Sequence, residues 1–150
     1  MREDSSMNNA GNLLLVDDDP SWLRLCATFL EAHGFSVVTA SDPLIAMSLA
    51  TQMKSELTTA VVDYHMPLMN GSTLAKCMKA ICPELRVVLH SGDTSLELAD
   101  MESIDAFVEK GNGVMVVVET LRDMKLSTGA STSRDSRTIP ALHIAESELS

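Results

Sequence analysis

Thr59-Ala60-Val61-Val62-Asp63-Tyr64-His65-Met66-Pro67-Leu68-Met69-Asn70-Gly71 holds the change of pattern that decides the fold. A short β-rich run, Thr59 to Val62, stops at an acid, and beyond the loop carrying Pro67 and Gly71 the apolar residues change spacing. Leu74, Cys77, Met78 and Ile81 recur at i, i+3, i+4 and i+7, the stripe of an amphipathic helix. Outward from this strand-then-helix unit, the unit repeats. Towards the N-terminus strands are predicted at Leu13 to Val16 and Phe35 to Ala40, with helical spacing in Leu23, Cys26, Ala27, Leu30 and again in Ala46, Leu49, Ala50, Met53. Towards the C-terminus strands are predicted at Arg86 to His90 and Ala106 to Glu109, followed by the stripe Val114, Val117, Val118, Leu121.

The punctuation agrees. Asp19-Pro20 and Asp42-Pro43 each place a capping acid before a proline at the first helical turn, and Gly34 can end the first helix in a left-handed conformation. Thr94 to Met101 is expected to add a fourth, short helix, although its apolar positions are poorly spaced. The count is then five strands and five helices. Right-handed crossovers place helices on both faces of an α/β, flavodoxin-like, doubly wound five-stranded parallel sheet in the order 2-1-3-4-5.

A chain of 150 residues holds one domain with a substantial core, here residues 12–126. Only 3% of the residues are aromatic, so that core is built from Leu, Val, Ile, Met and Ala. Residues 1–11 are polar and mixed in charge, and residues 127–150 open with a Ser/Thr-rich run almost without core formers; both are expected to be disordered. A formal charge of −10 and a pI near 4.6 argue against nucleic acid and anionic membrane as partners. The apolar run Leu13 to Val16 is too short for a signal peptide or a membrane span, and Cys26, Cys77 and Cys82 lack metal or redox spacing, so a cytoplasmic protein is expected.

In a doubly wound sheet, ligands bind beyond the carboxyl ends of the strands where the order reverses. Asp17, Asp18 and Asp19 follow the first strand, Asp63 ends the third, Ser91 the fourth, and Lys110 follows the fifth. Asp19 is read as a helix cap. Two further carboxylates facing Asp63 would repel one another unless a cation lay between them, and magnesium, a hard ion that takes one or two carboxylates and keeps several waters, suits Asp18 and Asp63. Asp17 would hold a metal-bound water, and His65 would lend its backbone carbonyl. A carboxylate can take a phosphoryl group if metal and a lysine offset the incoming charge; Asp63 and Lys110 fit those parts, and Ser91 could donate its hydroxyl to a phosphoryl oxygen. His65 and Asp93, each two residues beyond a site residue, would rim the pocket.

Leu14-Leu15-Val16-Asp17-Asp18-Asp19-Pro20, Val61-Val62-Asp63-Tyr64-His65-Met66-Pro67-Leu68-Met69-Asn70-Gly71, Leu89-His90-Ser91-Gly92 and Phe107-Val108-Glu109-Lys110 resemble, in order, the motifs of response regulator receiver domains. The resemblance covers roughly Asn12 to Lys125. It implies a phosphoacceptor receiver of a two-component phosphorelay, of the stand-alone kind used in chemotaxis, in which Mg²⁺-dependent phosphorylation of Asp63 switches a protein-interaction face. Asp17 and Asp18 would be the acid pair, Ser91 the switch hydroxyl, Phe107 the switch aromatic and Lys110 the conserved-type lysine. It also implies a sensor histidine kinase or phosphotransfer protein as donor and an unknown downstream protein target.

Two positions depart from the family's pattern. Gly111 stands where the family usually has a proline joined by a cis bond, and a non-proline cis bond costs about 3 to 4 kcal/mol. The interval from Ser91 to Lys110, 110 − 91 = 19 positions, is short, which predicts a shortened or irregular fourth helix. These departures motivate one alternative, a receiver-like scaffold that works without phosphorylation. A second alternative reads Asp17-Asp18-Asp19 as the Asp-x-Asp start of a haloacid-dehalogenase-like phosphatase, which leaves Asp63, Met66, Pro67 and Gly71 without a role.

Overall fold

The computed structural model describes residues 12–127. Strand β1 (Asn12–Val16) leads into helix α1 (Pro20–Ala32), β2 (Ser36–Ala40), α2 (Pro43–Gln52), β3 (Leu57–Asp63), α3 (Gly71–Ile81), β4 (Arg86–Ser91), β5 (Ala106–Glu109) and α4 (Val114–Ser127). The five strands form one parallel sheet in the order β2-β1-β3-β4-β5.

Period-2 alternation divides the apolar side chains between two faces. Leu14, Val16, Ala60, Val62, Val87 and Leu89 pack beneath α2 and α3, against Ala46, Ala50, Leu74 and Met78. Leu13, Leu15, Val61, Val88 and Val108 pack on the other face, against Leu23, Cys26 and Leu30 of α1 and Val117, Val118 and Leu121 of α4. Among the described residues no helix is long and apolar enough to cross a membrane.

The helix starts follow the sequence grammar. The Asp19 carboxylate accepts from the Ser21 and Trp22 N–H groups at 3.0 and 3.3 Å, and Asp42 from Ile45 at 2.9 Å, with Pro20 and Pro43 in the first turns. Asn70 caps α3 through Thr73 N–H at 2.9 Å. Gly34 ends α1 at φ +96°, and the Phe35 N–H turns back to Leu30 O at 3.1 Å, so β2 starts at Ser36, one residue later than predicted. Strand β3 begins at Leu57, two residues early, and bulges: Asn12 faces Leu57 while Leu13 faces Thr59.

The expected helix over Thr94 to Met101 does not form. That stretch holds a single 3₁₀ turn, Leu98–Met101, with no buried residue, and the molecule has four α-helices among the described residues. Leu96, Leu98 and Met101 are too irregularly spaced to make a stripe, and Leu98 is largely exposed. Asp93 also ties up local backbone by accepting from the Ser95 N–H and hydroxyl, and the capping box of Glu97 and Asp100 starts only the one 3₁₀ turn. The terminal segments expected to be disordered lie outside the described residues, except Ser127, which ends α4.

Candidate functional site

The sheet order reverses between β1 and β3, and their carboxyl ends carry the acids. One carboxylate oxygen from each of Asp17, Asp18 and Asp63 lies within 4.8 Å of the others; Asp17 and Asp63 are buried and Asp18 is exposed. Lys110, just past β5, donates to Asp17 Oδ2 at 3.0 Å and lies 3.3 Å from Asp63 Oδ1. Asp17 Oδ1 also accepts from the Asp19 N–H at 3.0 Å, so Asp17 is held from two sides.

Three carboxylates stand against one ammonium in this cluster. Burial pushes the Asp63 carboxyl above its ordinary value, the Asp17 charge adds to this, and Lys110 only partly offsets them. For Lys110, burial pulls downward, but its contacts with Asp17 and Asp63 outweigh that and hold the ammonium above the usual lysine value. A cluster of hard oxygen donors with unbalanced charge fits a divalent cation of the magnesium or calcium type.

The remaining predicted residues surround this centre. Ser91 is fully buried at the end of β4; its hydroxyl accepts from the Asp93 N–H at 2.9 Å and is turned into its own loop. Phe107, paired with Leu89, is half-buried against the core beneath α3. The exposed His65 ring is 3.3 Å from Asp93 Oδ2 and edge-on to Tyr64. The Lys110–Gly111 bond is trans, and Lys110–Asn112 form a 3₁₀ turn closed by Gly113 at φ +89°. Gly71 has a steric reason: a Cβ there would collide with the Asp63 carbonyl oxygen, and its N–H donates to Tyr64 O at 2.8 Å.

Three further side chains join the surroundings of the site. Trp22 presents its ring to Lys110, His90 stacks behind Trp22, and Tyr64 donates to Asp100 Oδ1 at 3.2 Å. The available signals were a lone tryptophan just past the acid run and a histidine ending an apolar strand.

The family model for the response regulator receiver domain matches residues 13–122. ARR21 of Arabidopsis thaliana, named as a two-component response regulator, is 31% identical over 86 residues, which are 57% of this chain and 14% of that protein. The chain spans well under a third of the length of curated relatives of this kind. Among solved structures, a response regulator from Burkholderia pseudomallei with a phosphorylated aspartic acid, a calcium ion and citrate aligns with a TM-score of 0.65 at 21% identity, over 79% of this chain and 72% of that one. TrrA of Thermotoga maritima, in complex with Mg²⁺ and BeF, aligns at 0.67 and 19%, over 75% and 97%. These two share the fold. The family match spans most of the sequence and contains Asp17, Asp18, Asp63, Ser91 and Lys110, and on that ground this chain belongs to the response regulator receiver domain family of two-component systems.

Proposed function

We propose that this domain is a phosphoacceptor switch of a two-component phosphorelay, with Asp63 as the residue that takes the phosphoryl group. The observation that carries the reading is the convergence of Asp17, Asp18 and Asp63 within 4.8 Å, with the Lys110 ammonium 3.3 Å from Asp63. Asp63 is a buried carboxylate at a strand end, so a donor reaches it in one fixed orientation. Its oxygen bonds to phosphorus as the donor's own bond to phosphorus breaks, and Lys110 is placed to meet the added negative charge.

Asp18 and Asp63 would hold a magnesium ion, with Asp17 on a metal-bound water and the His65 carbonyl completing the protein's share. Bound there, magnesium supplies charge for the phosphoryl oxygens. The Ser91 hydroxyl, now tied to Asp93, would leave its loop to meet a phosphoryl oxygen, with Phe107 following in the half-buried space beside Leu89. The domain acts as a switch rather than an enzyme, beyond promoting its own phosphorylation and dephosphorylation. Its donor is a sensor histidine kinase or phosphotransfer protein, its target another protein, and its place the cytoplasm; the charge of −10 disfavours nucleic acid and anionic membrane.

Incubation with acetyl phosphate and magnesium, read by intact mass, tests the reading. Wild type gains one phosphoryl group, Asp63→Asn none, and Asp18→Ala loses both labelling and magnesium binding. Full labelling of Asp63→Asn at another aspartate would refute the assignment. The missing helix between β4 and β5 favours one second reading, a scaffold independent of phosphorylation. Under that reading Asp63→Asn keeps its signalling in cells.

A further inference from the structure

Lys110 stands on a weakly supported piece of backbone. The turn Lys110–Asn112 contains Gly111 and is followed by Gly113, and a Cβ added at either glycine would meet nothing within 4 Å. Packing of the turn therefore does little to aim the side chain. About a third of that side chain reaches solvent (34%), so the flexible stem has an alternative to the pocket.

A ring flanks the ammonium on one side. The Lys110 ammonium lies 5.9 Å from the centre of the Trp22 ring, within the range of a cation–π contact. Trp22 is anchored in the first turn of α1, where its N–H donates to the capping Asp19. Its ring stacks at 5.5 Å and 30° on His90, a fully buried residue of β4. Burial, with the Lys110 charge, holds the imidazole neutral by lowering its pKa to about 4, so His90 sets no second cation against the lysine. Trp22 Nε1 and His90 Nε2 are both buried without a hydrogen-bond partner in the structure, so the contacts between these rings are made through their faces.

We propose that Trp22, backed by His90, is a positioning residue that holds the Lys110 ammonium between the Asp17 and Asp63 carboxylates, where a transferred phosphoryl group would meet it. The inference rests on the reading of Asp63 as the phosphoacceptor.

Trp22 is the chain's single tryptophan, so all tryptophan emission comes from the ring that faces Lys110. In the resting protein, Lys110→Met should shift or intensify that emission, whether or not Asp63 is ever phosphorylated. In acetyl phosphate labelling with magnesium, Trp22→Leu should be roughly three- to tenfold slower than wild type, the loss of one cation–π contact, and Trp22→Phe should recover part of the rate. Identical emission from wild type and Lys110→Met, or labelling of folded Trp22→Leu at the wild-type rate, would overturn the inference. Should Trp22→Leu fail to fold, the emission comparison, made with the indole intact, decides alone. A wild type that never labels but whose emission responds to Lys110→Met counts against the acceptor reading and in favour of the contact.

Discussion

The two crossovers that flank β4 solve the same problem by different physics. From β3 to β4 the chain runs through α3, which satisfies its own backbone and buries Leu74, Ala75 and Met78 completely. From β4 to β5 it runs through one 3₁₀ turn with nothing buried until Ile104. That second crossover is tied by side chains to α3 and the loop before it. Tyr64 and Ser72 donate to Asp100, Lys76 lies 3.4 Å from Glu102, and Lys79 pairs with Asp105 at 2.7 Å. A segment with an apolar period binds through area, and one without it binds through individual polar partners. Tyr64 follows Asp63 directly, so the polar strap is fastened to the loop that leaves Asp63.

The comparison can be broken first at its apolar end. Leu74→Ala should destabilise the fold by about 3 kcal/mol in urea unfolding, because a fully buried leucine leaves both lost transfer energy and a cavity. A loss below about 1 kcal/mol would mean that α3 is not held by area. Asp105→Ala should cost about 1 to 3 kcal/mol: it removes the Lys79 partner and the acceptor, at 2.8 Å, of the Val87 N–H in a fully buried residue. Tyr64→Phe should cost about 1 kcal/mol, confined to the strap. Hydrogen exchange should quicken over residues 97–102 while α3 keeps its protection; equal protection in both proteins would show that the Tyr64 tie carries no load.

The same contrast explains what could be read from sequence. An unbroken apolar run such as Val87-Val88-Leu89, or a stripe at helical period such as Leu74, Cys77, Met78 and Ile81, declares its element within a few residues. Asp17, Asp18, Asp63 and Lys110 were legible as a site because each ends or follows a strand, and a parallel sheet gathers those ends at one edge. The strap was not legible, since Tyr64 and Asp100 meet 36 positions apart through side chains no local pattern pairs. Nor did the strand end of Ser91 reveal that its hydroxyl faces Asp93, or the isolated Trp22 that it lies against His90 and Lys110.

The smallest expected effect on stability is at an exposed contact between the two crossovers, the pair His65 and Asp93. His65 Nε2 and Asp93 Oδ2 are 3.3 Å apart, and the His65 side chain is 67% exposed, so the pair is a surface contact. His65→Ala and Asp93→Ala should therefore leave the melting temperature unchanged. Their effect should be on rates. Asp93 is held below the ordinary carboxylate value by the Ser95 hydroxyl and N–H first and His65 after them, so it stays charged two residues beyond Ser91. Removing that charge in Asp93→Ala should speed labelling by acetyl phosphate, an anion that must pass it, and the gain should shrink as salt is added. His65→Ala should change the decay of the Asp63 acyl phosphate severalfold, because a water in line with the phosphorus passes the same rim, while magnesium affinity stays as in wild type. Labelling and decay at wild-type rates in both variants would show that the contact between the crossovers closes nothing, and that access to Asp63 is set by the buried groups behind it.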